Sequence, residues 1–183
     1  SLSKEPQDRG RGLRGMIKAL KGIEGKHQDL LEETGQACVK GNSREGEVFL
    51  RDGVTRFPDS YDLNYFYAKI LAQGRSPKSK EKEIKKHLDA CAKIDPGRKE
   101  APFLLGNYLL ELERIPEAIA AWDLGLKSHE DDLDLLRAKG KAALRANLWD
   151  AAIDAYERLV KIAPGSESRA GLKAAHAGKF FDK

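Results

Sequence analysis

The side chains that could do chemistry are spread along this sequence without forming a catalytic group. The four histidines lie far apart and make no metal-spaced motif with other ligands: His27, His87, His129 and His176. A short glycine-rich run, Gly10-Arg11-Gly12, is not followed by the strand and helix that a phosphate-binding loop needs. We therefore predict that the chain is not an enzyme and that it uses no metal or other cofactor.

The positive charge of the chain is concentrated at its start. The 183 residues carry a net charge of +4, and residues 1–26 hold seven Lys/Arg against three Asp/Glu, a net charge of +4. The remainder is therefore neutral, whereas a nucleic-acid surface needs a connected basic field. On this ground we do not expect nucleic acid as a partner, although the arginine-rich start leaves RNA open as an alternative.

The two cysteines, Cys38 and Cys91, lie too far apart in sequence to suggest a metal motif, and we expect small buried thiols. They favour a reducing, cytoplasmic setting. Neither a membrane-spanning run nor a signal peptide is visible. The absence of a starting Met suggests a trimmed chain or a fragment excised from a longer one.

Residues 1–26 predict a basic tail that contains one short amphipathic helix. Met16, Ile17, Leu20 and Ile23 stand at helical spacing, with lysines between them. This helix would cap the first repeat or lie on an anionic membrane surface.

The elements that must position any site repeat along the chain with a period of 34 residues. Four positions of one stretch recur one period later: Gly106, Ala118, Ile119 and Trp122, then Gly140, Ala152, Ile153 and Tyr156. Such self-similarity is typical of a stacked repeat array. Three prolines, Pro58, Pro96 and Pro164, support the register, because two of them lie two periods apart and each follows an apolar helical run.

Within one period, two apolar sets at helical spacing predict a helical hairpin. Leu136, Gly140 and Ala143 form the first set, and Leu148, Ala152, Tyr156 and Leu159 form the second. Asn147 lies between them and favours a turn. The glycine allows a close helix approach, and the aromatic side chain fills the space between hairpins.

This pattern resembles the tetratricopeptide repeat, whose Leu-Gly, Ala, aromatic and Pro positions are matched by Leu105-Gly106, Ala118, Trp122 and Pro164. Three positions depart from the family: Pro102 replaces Trp, Lys139 replaces Leu and Ala143 replaces Tyr. The resemblance covers about residues 27–166. It implies an all-α, right-handed superhelical solenoid over 27–180, with repeats at about 27–60, 61–98, 99–132 and 133–166 and a capping helix at 167–178.

Local signals predict where several helices begin and end. N-caps are expected at Ser43, at Asp59 or Ser60, at Asp131 or Asp132, and at Ser166. Pro116 is expected in the first turn of a helix, and Gly178 is expected to end the last one.

In the family that this sequence resembles, ligands lie in a concave groove lined by the first helix of each hairpin. The resemblance implies the following groove residues: Tyr65, Phe66, Lys69, Phe103, Asn107, Arg137, Lys141 and Arg145. The aromatic members could hold apolar side chains, Asn107 could bond a peptide backbone, and the basic trio could bind carboxylates. Alternatively, Arg137 and Lys141 are solvated and pair with Asp134 or Glu111.

The first functional hypothesis is a protein-binding adaptor or scaffold that recruits an acidic and apolar peptide segment. A chaperone's C-terminal tail is not expected as ligand, because Leu31 and Gly35 stand where the family's Lys and Asn would be. The alternatives are an RNA-binding helical repeat, and a self-assembling scaffold in which Phe180, Phe181 or the Met16 helix inserts into a neighbour's groove.

Overall fold

The computed structural model describes Gly15 and residues 28–182, and in these residues all regular structure is helical. Nine α-helices follow one another over residues 28–182: α1 (Gln28–Gly41), α2 (Arg44–Arg56), α3 (Tyr61–Ala72), α4 (Glu81–Ile94), α5 (Glu100–Glu111), α6 (Ile115–Ser128), α7 (Leu133–Arg145), α8 (Trp149–Ile162) and α9 (Ser166–Phe181). A short 3₁₀ turn, Pro77–Lys80, precedes α4. The all-α solenoid class is confirmed, whereas the basic tail and the Met16 helix lie outside the described residues.

The chain divides into two compact units, an N-terminal unit, Ser1–Asp95, and a C-terminal unit, Pro96–Lys183. In the N-terminal unit, α1 packs against α2 and α3, and α3 packs against α4. In the C-terminal unit, each helix from α5 to α9 packs against the next, and α9 also contacts α7. The boundaries of the four repeats stay a prediction.

Side-chain caps fix the start of three helices where the sequence predicts them. The Ser43 hydroxyl accepts a hydrogen bond from the Gly46 amide at 3.0 Å, and the Ser60 hydroxyl accepts one from Leu63 at 3.2 Å. Asp132 accepts from the amide of Leu135 at 2.9 Å at the start of α7. Of the paired alternatives, Ser60 and Asp132 are therefore the caps.

The turns inside two hairpins have the same backbone conformation, one period apart. Glu113 and Asn147 adopt left-handed backbone angles, with φ of 60° and 57°, and 147−113 is 34. The Arg114 amide donates to the Leu109 carbonyl at 3.0 Å, and the Leu148 amide repeats that bond to Ala143 at 2.9 Å. Both turns satisfy carbonyls that the preceding helix leaves unpaired.

Large aromatic side chains of the second helices fill the C-terminal unit. Trp122 is fully buried, and Tyr156 is 4% exposed. Leu148, in contrast, does not join the apolar face predicted for α8, because it precedes the helix as its N-cap residue and is 36% exposed.

The last helix differs from its prediction at both ends. Its N-cap is Gly165 rather than Ser166, because the hydroxyl of Ser168 takes the capping role and accepts from the Gly165 amide at 3.0 Å. Gly178 does not end the helix, which continues to Phe181. The ring of Trp149 packs so closely on Gly178 that a Cβ there would lie within 3.0 Å of it. Gly178 is therefore a contact position inside α9.

The two cysteines are free and buried, as the sequence predicts. Among the residues that the structure describes, each helix is too short or too polar to cross a lipid bilayer.

Candidate functional site

Three of the predicted groove residues lie on α3 of the N-terminal unit and contact one another. The rings of Tyr65 and Phe66 are 5.7 Å apart, and the Lys69 ammonium lies 5.3 Å from the centre of the Tyr65 ring. Phe66 is partly occupied in packing, because a Cβ on Gly35 of α1 would lie 3.0 Å from its ring. Tyr65 and Lys69 remain half-exposed beside it.

The other five predicted residues lie on α5 and α7 of the C-terminal unit at matching repeat positions. Arg137 follows Phe103 by 34 residues, and Lys141 follows Asn107 by 34. Phe103 and Asn107 are half-buried on α5, and Phe103 packs against the apolar core. Arg137, Lys141 and Arg145 are exposed on α7, each separated from the next by about one helical turn.

Two members of the basic trio have ion-pair partners that the sequence analysis did not name. Lys141 pairs with Glu167 at 2.7 Å, and Arg145 pairs with Glu113 at 2.9 Å. Asp134 and Glu111 are the alternative partners that the sequence suggests for Arg137 and Lys141, but Lys141 pairs with Glu167 at the start of α9 instead. The hydrogen bond from Lys141 lowers the pKa of Glu167 and raises that of Lys141.

Arg137 opens onto a cavity of about 170 Å³. We call it the α9 cavity, because the start of α9 closes one side of it. It is lined by Arg137, Lys141, Tyr156, Leu159, Ala163, Gly165, Ser166, Glu167 and Ser168. In the described part of the chain, Arg137 has no ion-pair partner, so its guanidinium is free to bind a ligand.

Tyr156 enters this cavity from α8 between two glycines. A Cβ on Gly140 of α7 would lie 3.0 Å from the Tyr156 ring, and a Cβ on Gly171 of α9 would lie closer still. Burial raises the pKa of Tyr156, while Lys141 opposes that rise. The ring is thus held in place, and its hydroxyl lies close to the charges of Lys141 and Glu167.

Comparison with known families fits this arrangement of helices and glycine–aromatic contacts. Residues 103–167 match the model of the tetratricopeptide repeat. This segment of the chain is therefore similar in sequence to the tetratricopeptide repeat. Tetratricopeptide repeats are in general protein–protein interaction modules.

Solved tetratricopeptide-repeat structures share the fold at low sequence identity. The crystal structure of MamA is 18% identical and has a TM-score of 0.66, with 83% of this chain and 82% of that chain covered. YrrB, described as a tetratricopeptide-repeat protein with an unusual peptide-binding site, is 18% identical and has a TM-score of 0.63, with 94% and 84% covered. TTC0263, a thermophilic protein from Thermus thermophilus, is 16% identical, with a TM-score of 0.63 and 92% and 91% covered. No curated protein matches the chain.

Lys139, which replaces the leucine of the tetratricopeptide repeat, is buried with two carboxylates. Its ammonium lies 2.9 Å from Asp123 on α6 and 2.7 Å from Asp154 on α8, and its side chain is 8% exposed. Burial on its own would lower the pKa of Lys139, but the hydrogen bonds to the two carboxylates outweigh it and raise the pKa. This residue joins three helices and is not available for a ligand.

A second buried polar group lies in the N-terminal unit. Asn64 donates to the carbonyls of Pro58 and Ser60, both at 2.8 Å, so its side-chain oxygen faces His87 at 2.7 Å and accepts from Nδ1. Burial lowers the pKa of His87. Neither residue is a predicted site residue, and the network holds α4 on α3.

Glu83, His87 and Cys91 follow one another at intervals of four on α4, a spacing that the sequence analysis passed over. Each is already bound within the fold. Glu83 accepts from the Tyr67 hydroxyl at 2.7 Å, and the Cys91 thiol lies 3.5 Å from the Tyr61 carbonyl. In the described ranges, 15 and 28–182, no cluster of such residues could hold a metal ion.

Proposed function

We propose that the chain is a non-catalytic adaptor that holds a peptide segment of a partner protein on the first helices of its hairpins. The observation that carries the proposal is the matching placement of Phe103 with Arg137 and of Asn107 with Lys141, one repeat apart and outside the fully buried core. A repeated surface of this kind suits an extended ligand, because each repeat offers a contact at the equivalent position of its first helix. The peptide-binding site described for YrrB supports the same mode of use.

The side chains on these helices favour a peptide that is both apolar and acidic. Tyr65, Phe66 and Phe103 present aromatic surface, which supplies most of the energy at peptide interfaces. Lys69, Arg137 and Lys141 supply positive charge, and Asn107 can bond a peptide carbonyl or amide. Arg145 belongs to the same helical face, but a ligand must first displace Glu113 from it.

The experiment is selection of binders from a peptide library by the immobilised full chain, repeated with a charge-reversed variant. Arg137→Glu combined with Lys141→Glu should abolish capture of acidic peptides. Unfolding by urea should be nearly unchanged, because both side chains are exposed. The matched control is Lys127→Glu with Lys161→Glu, which makes the same change of charge on exposed positions of α6 and α8. Equal loss of binding in both variants would refute the proposed surface.

A self-assembling scaffold is a second candidate function, favoured by the last turn of α9. Phe180 and Phe181 are 72% and 83% exposed, which is unusual for two adjacent aromatic side chains. Light scattering across protein concentration should show an increase in mass that Phe180→Ser with Phe181→Ser removes. A constant monomer mass for the unmodified chain would exclude this candidate.

A further inference from the structure

We propose that one copy of the chain binds the next by placing Phe180 and Phe181 in an apolar pocket at the start of α8. This inference rests on the second candidate function, the self-assembling scaffold, and it names the two surfaces that make the contact. Both surfaces belong to the C-terminal unit, and the receiving surface is this pocket rather than the groove of the neighbour. Because the two surfaces are different patches of the chain, each added copy still offers a free pocket or a free aromatic pair.

The first surface is the aromatic pair in the last turn of α9. Phe180 and Phe181 are 72% and 83% exposed, and their ring centres lie 5.3 Å apart in an edge-to-face arrangement. The two rings therefore form one apolar projection. Aromatic side chains of this size supply much of the binding energy when an interface buries them.

The turn that carries the pair is anchored on α8. The ring of Trp149 lies against Gly178, and its Nε1 donates a hydrogen bond to Asp182 at 2.9 Å. Lys179 forms an ion pair with Asp150. Since these contacts hold the turn before association, little conformational freedom is lost when the pair is buried.

The second surface is a pocket of about 470 Å³ between the starts of α6 and α8. Five apolar residues form most of its lining: Pro116, Ile119, Leu148, Trp149 and Ala151. Asn147, Asp150 and Lys179 complete the lining. A mostly apolar pocket of this volume suits an aromatic group. It also accounts for Leu148, which is 36% exposed although it is apolar.

The spacing of charges identifies the occupant as a second copy. Lys173 precedes Phe181 by eight residues, since 181−173 is 8, and Glu157 follows Trp149 by the same interval, since 157−149 is 8. Each interval spans about 12 Å of helix. When α9 of one copy lies antiparallel to α8 of the next with Phe181 in the pocket, Lys173 therefore meets Glu157.

Both members of this charge pair are available within the fold. Lys173 and Glu157 are exposed, and in the part of the chain that the structure describes neither forms an ion pair. Ala174 and Ala177 lie exposed between the two contact points on α9. Their small side chains allow the neighbouring helix to approach closely.

The same register also places two positive charges together. Arg169 precedes Phe181 by twelve residues, since 181−169 is 12, and Lys161 follows Trp149 by twelve, since 161−149 is 12. Both side chains are exposed. Like charges at this point oppose association, so Lys161→Glu should strengthen the contact, whereas an unspecific apolar association would not respond.

The test is sedimentation equilibrium of the full chain over a range of concentrations at low ionic strength. Lys173→Glu and Glu157→Lys should each weaken association about threefold to tenfold, because each places like charges together. The two changes in one chain should restore association to within about twofold, since the pair is then reversed. The matched control is Lys173→Glu with Glu130→Lys, which has the same net charge but puts the new lysine on another exposed position, and it should restore nothing.

A cross-linking experiment locates the pocket directly. Phe181 is replaced by the photoreactive p-benzoylphenylalanine, and this chain is mixed with a copy labelled with ¹⁵N. Cross-links between labelled and unlabelled chains should fall on residues 147–151 of α8 and the turn before it. Cross-links to the first helices α3, α5 or α7 would place the pair in the groove of the neighbour and overturn the inference.

Failure of this contact can be told from failure of the scaffold. A mass that rises with concentration, without recovery in the charge-exchanged chain, would overturn the contact between α9 and α8 and leave self-assembly standing. A monomer at every concentration would overturn both. Neither result bears on the adaptor, because selection from the peptide library tests that function separately.

Discussion

Gly106 lies directly against the indole ring of Trp122, so that a Cβ on Gly106 would come within 3.0 Å of the ring. The pair Gly140 and Tyr156 repeats this relationship 34 residues later, where a Cβ on the glycine would lie 3.0 Å from the tyrosine ring. In both hairpins the absence of a side chain on the first helix makes room for the aromatic ring of the second. The two positions that define the repeat in sequence are therefore one contact in space.

The first prediction concerns that contact. Gly106→Ala should lower the free energy of unfolding by about 1–3 kcal/mol, because the new methyl group overpacks the indole of a fully buried tryptophan. The control is Gly53→Ala, also inside a helix, where the new Cβ meets Leu63 at an ordinary 3.4 Å. Since alanine is the better helix former by about 1 kcal/mol, the control should be neutral or stabilising. Urea unfolding of the two variants measures the difference, and equal effects would show that the ring moves aside freely.

The second prediction concerns the buried ammonium of Lys139. Lys139→Glu should destabilise the fold by about 3 kcal/mol or more, because three carboxylates would then share one site. Lys139→Met should cost much less, since Asp123 and Asp154 are 45% and 51% exposed and can be hydrated. The raised pKa gives a pH dependence. The contribution of Lys139 is complete below the unfolded pKa of about 10.4 and is lost as the pH rises through the folded pKa.

Urea unfolding of the wild type and of Lys139→Met between neutral pH and alkaline pH tests the direction of this pH dependence. The gap in stability between the two proteins should narrow as the pH rises. A gap that does not change with pH would mean that the lysine acts by packing alone.

The third prediction concerns the loss of stability at acidic pH. Because burial lowers the pKa of His87, the unfolded chain binds a proton more readily than the folded chain. Stability should therefore fall as the pH drops below the unfolded pKa of about 6.5, by at most about 1.4 kcal/mol per pH unit. His87→Gln keeps a donor for Asn64 without a titrating ring, so this variant should show a shallower fall between pH 7 and pH 5. Parallel curves would contradict the assignment.

The fourth prediction separates the two roles of Asp132. This residue caps α7 and forms an ion pair with Lys99. Asp132→Ala should cost about 1–2 kcal/mol, most of it from the cap. Asp132→Asn keeps an accepting oxygen for the amides and should cost only about 0–1 kcal/mol, the usual value of a surface ion pair. Urea unfolding of both variants decides, and equal losses would assign the effect to the ion pair.

The parts of the fold that the sequence predicts are those set by neighbours along the chain. Ser43 and Ser60 cap helices through amides three residues ahead, and Pro116 occupies the first turn of α6. The glycine–aromatic register is equally local to one hairpin, because Gly106 and Trp122 lie 16 residues apart. Because such contacts join residues at fixed short spacings, they can be predicted from one sequence alone.

The features that the sequence analysis missed depend on contacts between hairpins. Glu167 is 26 residues from Lys141, and no spacing rule distinguishes it from the nearer Asp134. Gly178 looks like a helix terminator until the ring of Trp149 is found against it. The α9 cavity has the same origin, since its lining comes from three helices.

Both cysteines of the chain belong to the N-terminal unit, where they are sealed from solvent, and burial raises the pKa of Cys38 to about 12. A thiol reagent at neutral pH can therefore modify them only during moments when that half of the molecule opens. The rate of modification therefore measures how often the N-terminal unit opens, because the C-terminal unit has no thiol and does not react. If this rate is compared with the urea stability of the whole chain, it would show whether ligand binding to the C-terminal unit also slows the opening of the N-terminal unit.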